Sequence, residues 1–449
     1  MTLHRYLPAF AARQAPRYTS YPTAAEFGDG VGVVDQAAAL DAVRPGKPVS
    51  LYVHIPYCHA ICWYCGCNTG AVGRPERLDH YRAALSAEIA TVAKRLKGRV
   101  TSVHFGGGSP NALSPIAFAE LGRTLRDRFD IAPDAEWAAE VDPRYFDVAL
   151  ADAFAATGIR RLSVGAQTFS PMVQAAIGRV QPLASVSRAI ADARAAGIER
   201  INLDLMYGLP GQTLHDIAAT ISAARRLSPD RVAMFGYAHM PRLLPRQRRI
   251  DASQLPGAEA RFWQRALAHD LWVEAGFAAV GFDHFARPND SMAQAARTGK
   301  LRRNFQGFTD DPATTLVGLG ASAISQFDGL IVQNEKHVGR YRMLALNGGL
   351  TGARGVRRGP EDALAGEVIE RLLCDGTVDL ASIARRHGAD PDELCQDPAQ
   401  LEELVTAGIA TVDGWRLGIT PMGQPYARLV AATFDRFRVT QPGRFSVAV

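Results

Sequence analysis

The sequence has no long apolar run. No stretch of its 449 residues approaches the ~20 apolar side chains that a membrane span needs, so no spanning helix is expected. The opening MTLHRYLPAFAARQ lacks the apolar centre of a secretory leader. An excess of one charge is also missing. A formal charge of +5 over this length is mild; it gives no ground for a nucleic-acid partner and would suit an anionic small substrate. Cysteine is scarce and uneven: there are six, four of them between residues 58 and 67. That distribution does not suggest a secreted disulfide framework, so a cytoplasmic, reducing compartment is expected. Cys374 and Cys395, in helical-looking surroundings, read as small buried hydrophobes. The remainder, 47% hydrophobic and 21% charged, is ordinary for a soluble globular chain of two or three domains, expected here as a monomer.

What is present centres on LYVHIPYCHAICWYCG, Leu51–Gly66. An apolar run reads as a buried strand that breaks at Pro56 and leads into Cys58, Cys62 and Cys65, with Cys67 just beyond. C-x3-C-x2-C places three thiolates on one loop, which suits a cluster of metal ions and leaves one coordination position open for chemistry. A structural zinc site is the alternative, although zinc modules usually split their ligands into two separated pairs. The spacing resembles that of the radical S-adenosylmethionine (SAM) superfamily. The resemblance implies that the three cysteines hold a 4Fe–4S cluster whose fourth iron binds SAM, giving a 5′-deoxyadenosyl radical that abstracts hydrogen from an unactivated C–H bond.

Around this loop the chain alternates strand-like and helix-like segments, with strands near 50, 101, 137, 161, 201 and 231. The segments AATGIRRLSVG, ARAAGIERINLDLMYG and VEAGFAAVGFDHF share one grammar: helix end, glycine, apolar residue, strand. A helix carrying Leu78, Tyr81, Leu85, Ile89, Val92 and Leu96 is expected to stop at Gly98, and Thr213 with Asp216 reads as a helix start. Six βα units with polar strand ends predict an α/β fold, a partial (βα)6 barrel over 46–335, with a doubly wound sheet as the alternative. Residues 1–45, containing RYTSYPT, read as an arm packed on something else. Residues 336–449 read as a mostly helical, winged-helix-like domain with a hairpin at Ala410–Ile419, in a packing or lid role.

The strand ends carry the polar residues. GGGSP at Gly106–Pro110 lets backbone approach a ligand closely. Glu140 and Asp142 in AEVDP offer acceptors for an amine or for ribose hydroxyls, and Gln167, Arg179 and Asp204 face the same rim. Each has a structural reading too, such as a helix cap, but several on successive strands are harder to dismiss. His284, Asn304 and Gln306 are as readily satisfied core residues as site residues.

RYTSYPT, YVHIPYCHAICWYCGCN, HFGGGSP, EVDPR, LSVGAQTF, INLDLMYGLPGQT, GYAHMP, GFDHFARP, RNFQGF and GASAIS together resemble the oxygen-independent coproporphyrinogen III oxidases, from about residue 17 to the C-terminus. That resemblance implies oxidative decarboxylation of two propionates of coproporphyrinogen III to vinyls, giving protoporphyrinogen IX, with an electron donor for the cluster. It implies two SAM molecules: Tyr52, Gly107, Glu140 and Ile324 at the cluster-bound one, and Tyr64, Gly108, Ser109, Gln167, Arg179, Asp204 and Ala238 at the second. Because the substrate carries carboxylates, Arg17, Arg287 and Arg303 are candidates by motif position to meet them. Two other readings stand beside this one. A haem-binding chaperone on the same scaffold is disfavoured by Cys67 and the arm; a zinc-stabilised winged-helix regulator is the other.

Overall fold

The computed structural model describes residues 4–438. Six strands, β1 (Pro48–Ile55), β2 (Arg99–Gly107), β3 (Ile131–Val141), β4 (Arg161–Gln167), β5 (Arg200–Tyr207) and β6 (Arg231–Gly236), lie side by side in chain order, and every adjacent pair is parallel. Each crossover therefore steps one strand further in the same direction. That winding is a barrel's, and it excludes the doubly wound order, which must reverse direction.

Two consecutive residues show the curl. Asp311 accepts a hydrogen bond from Ser50 on β1, while Asp310 pairs with Arg231 at the start of β6 (3.2 Å). In a flat sheet β1 and β6 would be about 24 Å apart, far beyond what two adjacent residues can bridge. The sheet is therefore bent round, and the segment 305–311 crosses its open side.

Alternation along the strands sorts the chemistry. Leu162, Val164, Leu203 and Leu205 are fully buried and face helices that bring Val186, Ile190, Ile217 and Ile221 against them. The residues between them, Ser163, Asn202 and Asp204, bond to one another on the inner face. The helix-to-strand glycines behave as the pattern predicts: Gly158 (φ +96°) and Gly197 (φ +89°) take left-handed backbone, and Ile159 and Ile198 after them are fully buried. Thr213 and Asp216 form a reciprocal capping box at the start of the helix Leu214–Arg226.

Two expectations are corrected. The helix Glu76–Ala93 ends five residues before Gly98, whose role is close approach: a Cβ there would lie 2.5 Å from Val49 Cγ2 and 2.9 Å from the Lys47 carbonyl oxygen. The third copy of the glycine grammar does not continue the parallel series. Its strands, β7 (Ala278–Val280) and β8 (His284–Ala286), form an antiparallel pair, with β8 antiparallel to β6. Only three residues separate them, too few for a crossover.

The sheet also gains strands the sequence did not show. Beyond the short hairpin β9 (Arg302–Asn304) and β10 (Gly307–Thr309), β11 (Thr315–Leu319) pairs parallel with β1. Then β12 (Ile324–Phe327), β13 (Leu330–Asn334) and β14 (Gly352–Arg357) add antiparallel strands, so the large sheet runs past residue 335 to Arg357. After it come helices Pro360–Asp375, Leu380–His387 and Pro398–Thr406 and the hairpin Ala410–Asp413/Arg416–Ile419, joined by a third strand, Thr377–Asp379. This C-terminal part has its own core, built from Val368, Leu372, Leu404, Leu417 and Phe434. Phe10, Tyr18 and Tyr21 of the arm enter that core, as does Phe262 from the barrel's last helix, Ala258–Glu274. The arm is thus packed between two bodies. Cys374 is buried as expected, while Cys395 is only half-buried.

Candidate functional site

At the C-terminal ends of β1–β6 lies a cavity of about 390 Å3, a size usual for small-ligand sites. Cys58, Cys62 and Cys65 line it, as do Tyr64, Gly107, Gly108, Ser109, Glu140, Gln167, Arg179, Asp204 and Ala238. Tyr52 and Ile324 are set back from it. Tyr52 is buried under the glycine run, parallel to His104 and edge-on to Phe305. Ile324 opens β12 next to Ala323, which packs with Tyr52.

The cysteine loop is anchored at both ends. Gly108 N–H and Ser109 N–H donate to the carbonyls of Ile55 and Tyr57 (2.8 Å each), so the glycine run grips the loop's root. A Cβ on Gly108 would sit 2.6 Å from the Tyr57 carbonyl oxygen, which is why glycine is needed there. Further along, Trp63 N–H donates to Ile177 O (3.1 Å), and the Trp63 ring fills the space beside Gly178. Ser109, buried, donates its hydroxyl to Asn111, and Asn111 in turn holds the carbonyls of Asp142 and Tyr145 (2.9 Å each). The glycines and Ser109 therefore shape the site from behind as well as lining it.

Two cations meet one sulfur. Arg179 Nη1 lies 3.2 Å from Cys62 Sγ and 3.3 Å from Asp142 Oδ2, and Arg144 Nη2 lies 3.8 Å from the same sulfur. At Cys65, the hydrogen bond from Cys67 outweighs burial and, with the charges of Arg246 and Arg179, lowers the thiol. Burial instead raises the Cys58 thiol to about 11. Burial alone would raise Glu140, but the hydrogen bond and charge of His104 (3.2 Å) hold it below the usual carboxylate range. Burial raises Asp204 to about 6, against the donors Ser163 Oγ and Asn202 Nδ2 (2.8 Å each). Gln167 ends β4 in left-handed backbone (φ +62°), a strained conformation that clusters at functional sites.

The donor set fits an iron–sulfur cluster better than a single zinc. Tetrahedral zinc holds sulfurs about 3.8 Å apart, from Zn–S distances of about 2.3 Å. The sulfurs of Cys58, Cys62 and Cys65 do not all come within 4.8 Å of one another. The cavity is also set up for an acceptor-bearing ligand: two buried guanidinium nitrogens on its wall, Arg179 Nε and Arg246 Nη1, have no partner among the described residues.

Sequence reasoning named Ala238 but missed the rest of the wall supplied by residues 237–250. Gln247, 1% exposed, donates to the carbonyls of Tyr64 (2.9 Å) and Ala238 (3.1 Å), and Arg246 donates to Thr69 O (2.8 Å). Only the basic run PRQRR hinted at it. Arg144 was missed as well. Of the arginine candidates, Arg17 lines the cavity and donates to Gly236 O (2.5 Å). Arg303 sits behind it, bonded to the Arg17 and Tyr18 carbonyls. Arg287 is on the opposite rim, donating to Pro229 O just before β6 begins. His284 is buried, bonded to Asp283 (2.6 Å) and edge-on to Phe235 and Phe308; Asn304 caps its own hairpin at Gln306 N–H.

Residues 52–224 match the Radical SAM superfamily, and residues 359–426 match the HemN C-terminal domain. A protein of Bradyrhizobium diazoefficiens named oxygen-independent coproporphyrinogen III oxidase is 40% identical over 95% of this chain and 95% of its own. The Escherichia coli protein of the same name is 37% identical over 94% of this chain and 93% of its own. The solved structure of coproporphyrinogen III oxidase (HemN) from Escherichia coli, described as a radical SAM enzyme, superposes with a TM-score of 0.89 at 34% identity, covering 95% of this chain and 100% of that one.

Proposed function

The chain belongs to the oxygen-independent coproporphyrinogen III oxidases, and from that premise we propose how its cavity serves the reaction. It is a radical SAM oxidoreductase of porphyrin and haem biosynthesis. The proposed reaction is oxidative decarboxylation of two propionates of coproporphyrinogen III to vinyls, giving protoporphyrinogen IX. When bound, the 4Fe–4S cluster and SAM supply the 5′-deoxyadenosyl radical that abstracts hydrogen from a propionate. No general base does this at useful rate, because the β-hydrogen is not acidic.

The observation that carries this reading is the single cavity lined by the three cysteines together with Glu140 of β3, Gln167 of β4, Asp204 of β5 and Arg179 from the segment after the helix Pro171–Ala176. Cys58, Cys62 and Cys65 are the proposed cluster ligands. Arg179 and Arg144 offset negative charge at Cys62, and Arg246 does so at Cys65. Tyr52, Gly107, Glu140 and Ile324 are proposed for the cluster-bound SAM, with Glu140 kept ionised to take its ammonium and Tyr52 acting from beneath the wall. Tyr64, Gly108, Ser109, Gln167, Arg179, Asp204 and Ala238 are proposed for a second SAM. Ser109 does so as wall rather than as donor, since its hydroxyl is engaged with Asn111 and its N–H with Tyr57 O. An arm over 1–45, a barrel from residue 46 whose sheet runs on to Arg357, a C-terminal domain after it, a monomer, a cytoplasmic setting and an external electron donor complete the proposal. Among the described residues no helix is long and apolar enough to cross a membrane.

Full-length relatives named as oxidases favour this enzyme over a haem chaperone on the same scaffold. The test is anaerobic purification with iron and sulfide counts, then an assay with coproporphyrinogen III, SAM and a reductant. Cys65→Ala is expected to lose the visible sulfur-to-iron absorption and all vinyl product. A colourless wild-type protein, or a coloured one that makes no vinyl product, would refute the proposal.

A further inference from the structure

Beside the cavity, where the arm, the barrel and the C-terminal domain meet, several guanidiniums converge. Arg17 comes from the arm, Arg265 from the barrel's last helix, Arg303 from β9 and Arg428 from the helix Ala427–Ala432. Arg261, one turn before Arg265, lies directly beneath Gly236 and donates to Tyr237 O (2.7 Å). The first three are held by neutral acceptors: Arg17 by Gly236 O, Arg265 by Phe282 O (3.0 Å), and Arg303 by the carbonyls of Arg17 and Tyr18 (3.0 and 3.1 Å). None of these three guanidiniums has an ion-pair partner among the described residues. Arg303 is stacked over Phe282 and Phe308 (4.8 and 4.4 Å), and its Nη1 is buried without an acceptor among the described residues.

Among the described residues, the carboxylates facing this group are few. Asp283 is already bonded to His284, and Glu370 is taken by Arg302 and the Arg303 backbone. Burial, with the charges of Arg17 and Arg303 nearby, pulls Arg428 down to about 9. Such a cluster is costly in the empty protein and becomes favourable when an anion arrives. Arg17 also lines the cavity, so an anion held here belongs to a molecule that extends into it.

Resting on the function proposed above, we infer that Arg17, Arg265 and Arg303 form the seat for substrate propionate carboxylates. Arg261 and Arg428 add positive field, and the seat thereby sets which propionates face the cysteine loop. Arg303 supplies the fork: its aromatic walls fix the guanidinium plane, and planar guanidinium is what bidentate carboxylate recognition requires. These are positioning residues, and their signature is selectivity for the acid form of the ligand.

The experiment uses the anaerobic holoenzyme and two stable probes, coproporphyrin III and its tetramethyl ester, with binding read by fluorescence. Wild type is expected to prefer the tetra-acid. Arg303→Gln and Arg265→Gln should each weaken tetra-acid binding about 10-fold or more while leaving ester binding unchanged. Arg303→Lys, which keeps charge but loses the fork, should fall between. Equal affinity of wild type for acid and ester, or unchanged acid affinity in folded variants, overturns the seat. The reaction is read separately. Acid preference without vinyl product sinks the reaction and leaves the seat standing; vinyl product with unmoved KM in the variants does the reverse.

Discussion

At the N-terminal ends of the parallel strands, Arg231 is 2% exposed and paired with two carboxylates. Its Nε donates to both oxygens of Asp290 (2.8 and 3.0 Å), and its Nη2 donates to Ser291 Oγ and Asp310 Oδ2 (2.9 and 3.2 Å). Beside it Arg161 pairs with Glu136 (2.5 Å). At the opposite ends of the same strands, Arg179 is 6% exposed, divides one nitrogen between a thiol and a carboxylate, and leaves Nε without a partner among the described residues. The residue types are alike, but only one rim is closed. A buried cation with a full set of partners stabilises the fold, whereas one with vacant donors marks where a ligand completes the set.

The largest effect that tests this contrast is on stability. Arg231→Met leaves Asp290 and Asp310 buried beside an apolar side chain and should cost about 3–5 kcal/mol, the usual result of removing one partner of a buried pair. Denaturant unfolding measures it, with turnover per folded molecule expected to stay near wild type. Turnover lost without any loss of stability would erase the distinction between the rims.

That distinction was only half legible in the sequence. Strand ends were visible because HFGGGS, AEVDP and VGAQ follow apolar runs, and Thr213–Asp216 announced a helix start because the capping box is local. The curl was not visible, since it rests on Asp310 and Asp311 reaching strands that are far apart in the chain. Nor was the Arg179–Cys62 contact, across 117 residues, or the wall made by Arg246 and Gln247. Motif position put Arg287 at the site. Register shows why it is not there: β8 runs antiparallel, so the residue after Ala286 emerges at the N-terminal rim, beside Arg231.

A smaller effect sharpens the open rim. Burial raises the Asp204 carboxyl to about 6, near Glu140 and with Ser163, Asn202 and His284 around it. Because this folded-state pKa lies above the unfolded one, the neutral acid is the better-tolerated form. Its stabilisation is complete at low pH and is lost as pH rises through about 6. Asp204→Asn, which cannot ionise, should therefore be more stable than wild type by about 1–3 kcal/mol at pH 8, at roughly 1.4 kcal/mol per pKa unit. The gain should shrink towards pH 5. Unfolding of SAM-free protein across that range checks it, and a gain independent of pH would show that the carboxyl does not titrate there.

The smallest effect is expected where motif position alone would expect a large one. Arg287 is half-exposed: it donates to Pro229 O (3.0 Å), approaches Asp230 only to 4.0 Å, and lies 5.4 Å over Phe277. Exposed pairs of this kind contribute about 0–1 kcal/mol. From the closed rim this side chain cannot meet a ligand seated at the strands' other ends, since β6 alone, with six residues at about 3.3 Å each, separates them by most of its length. Arg287→Gln should thus leave KM for coproporphyrinogen III within about twofold and stability within about 0.5 kcal/mol. Measured beside Arg303→Gln, it asks whether substrate reads arginine by position in the motif or by position on the barrel. A tenfold rise in KM for Arg287→Gln would mean that the substrate contacts both rims.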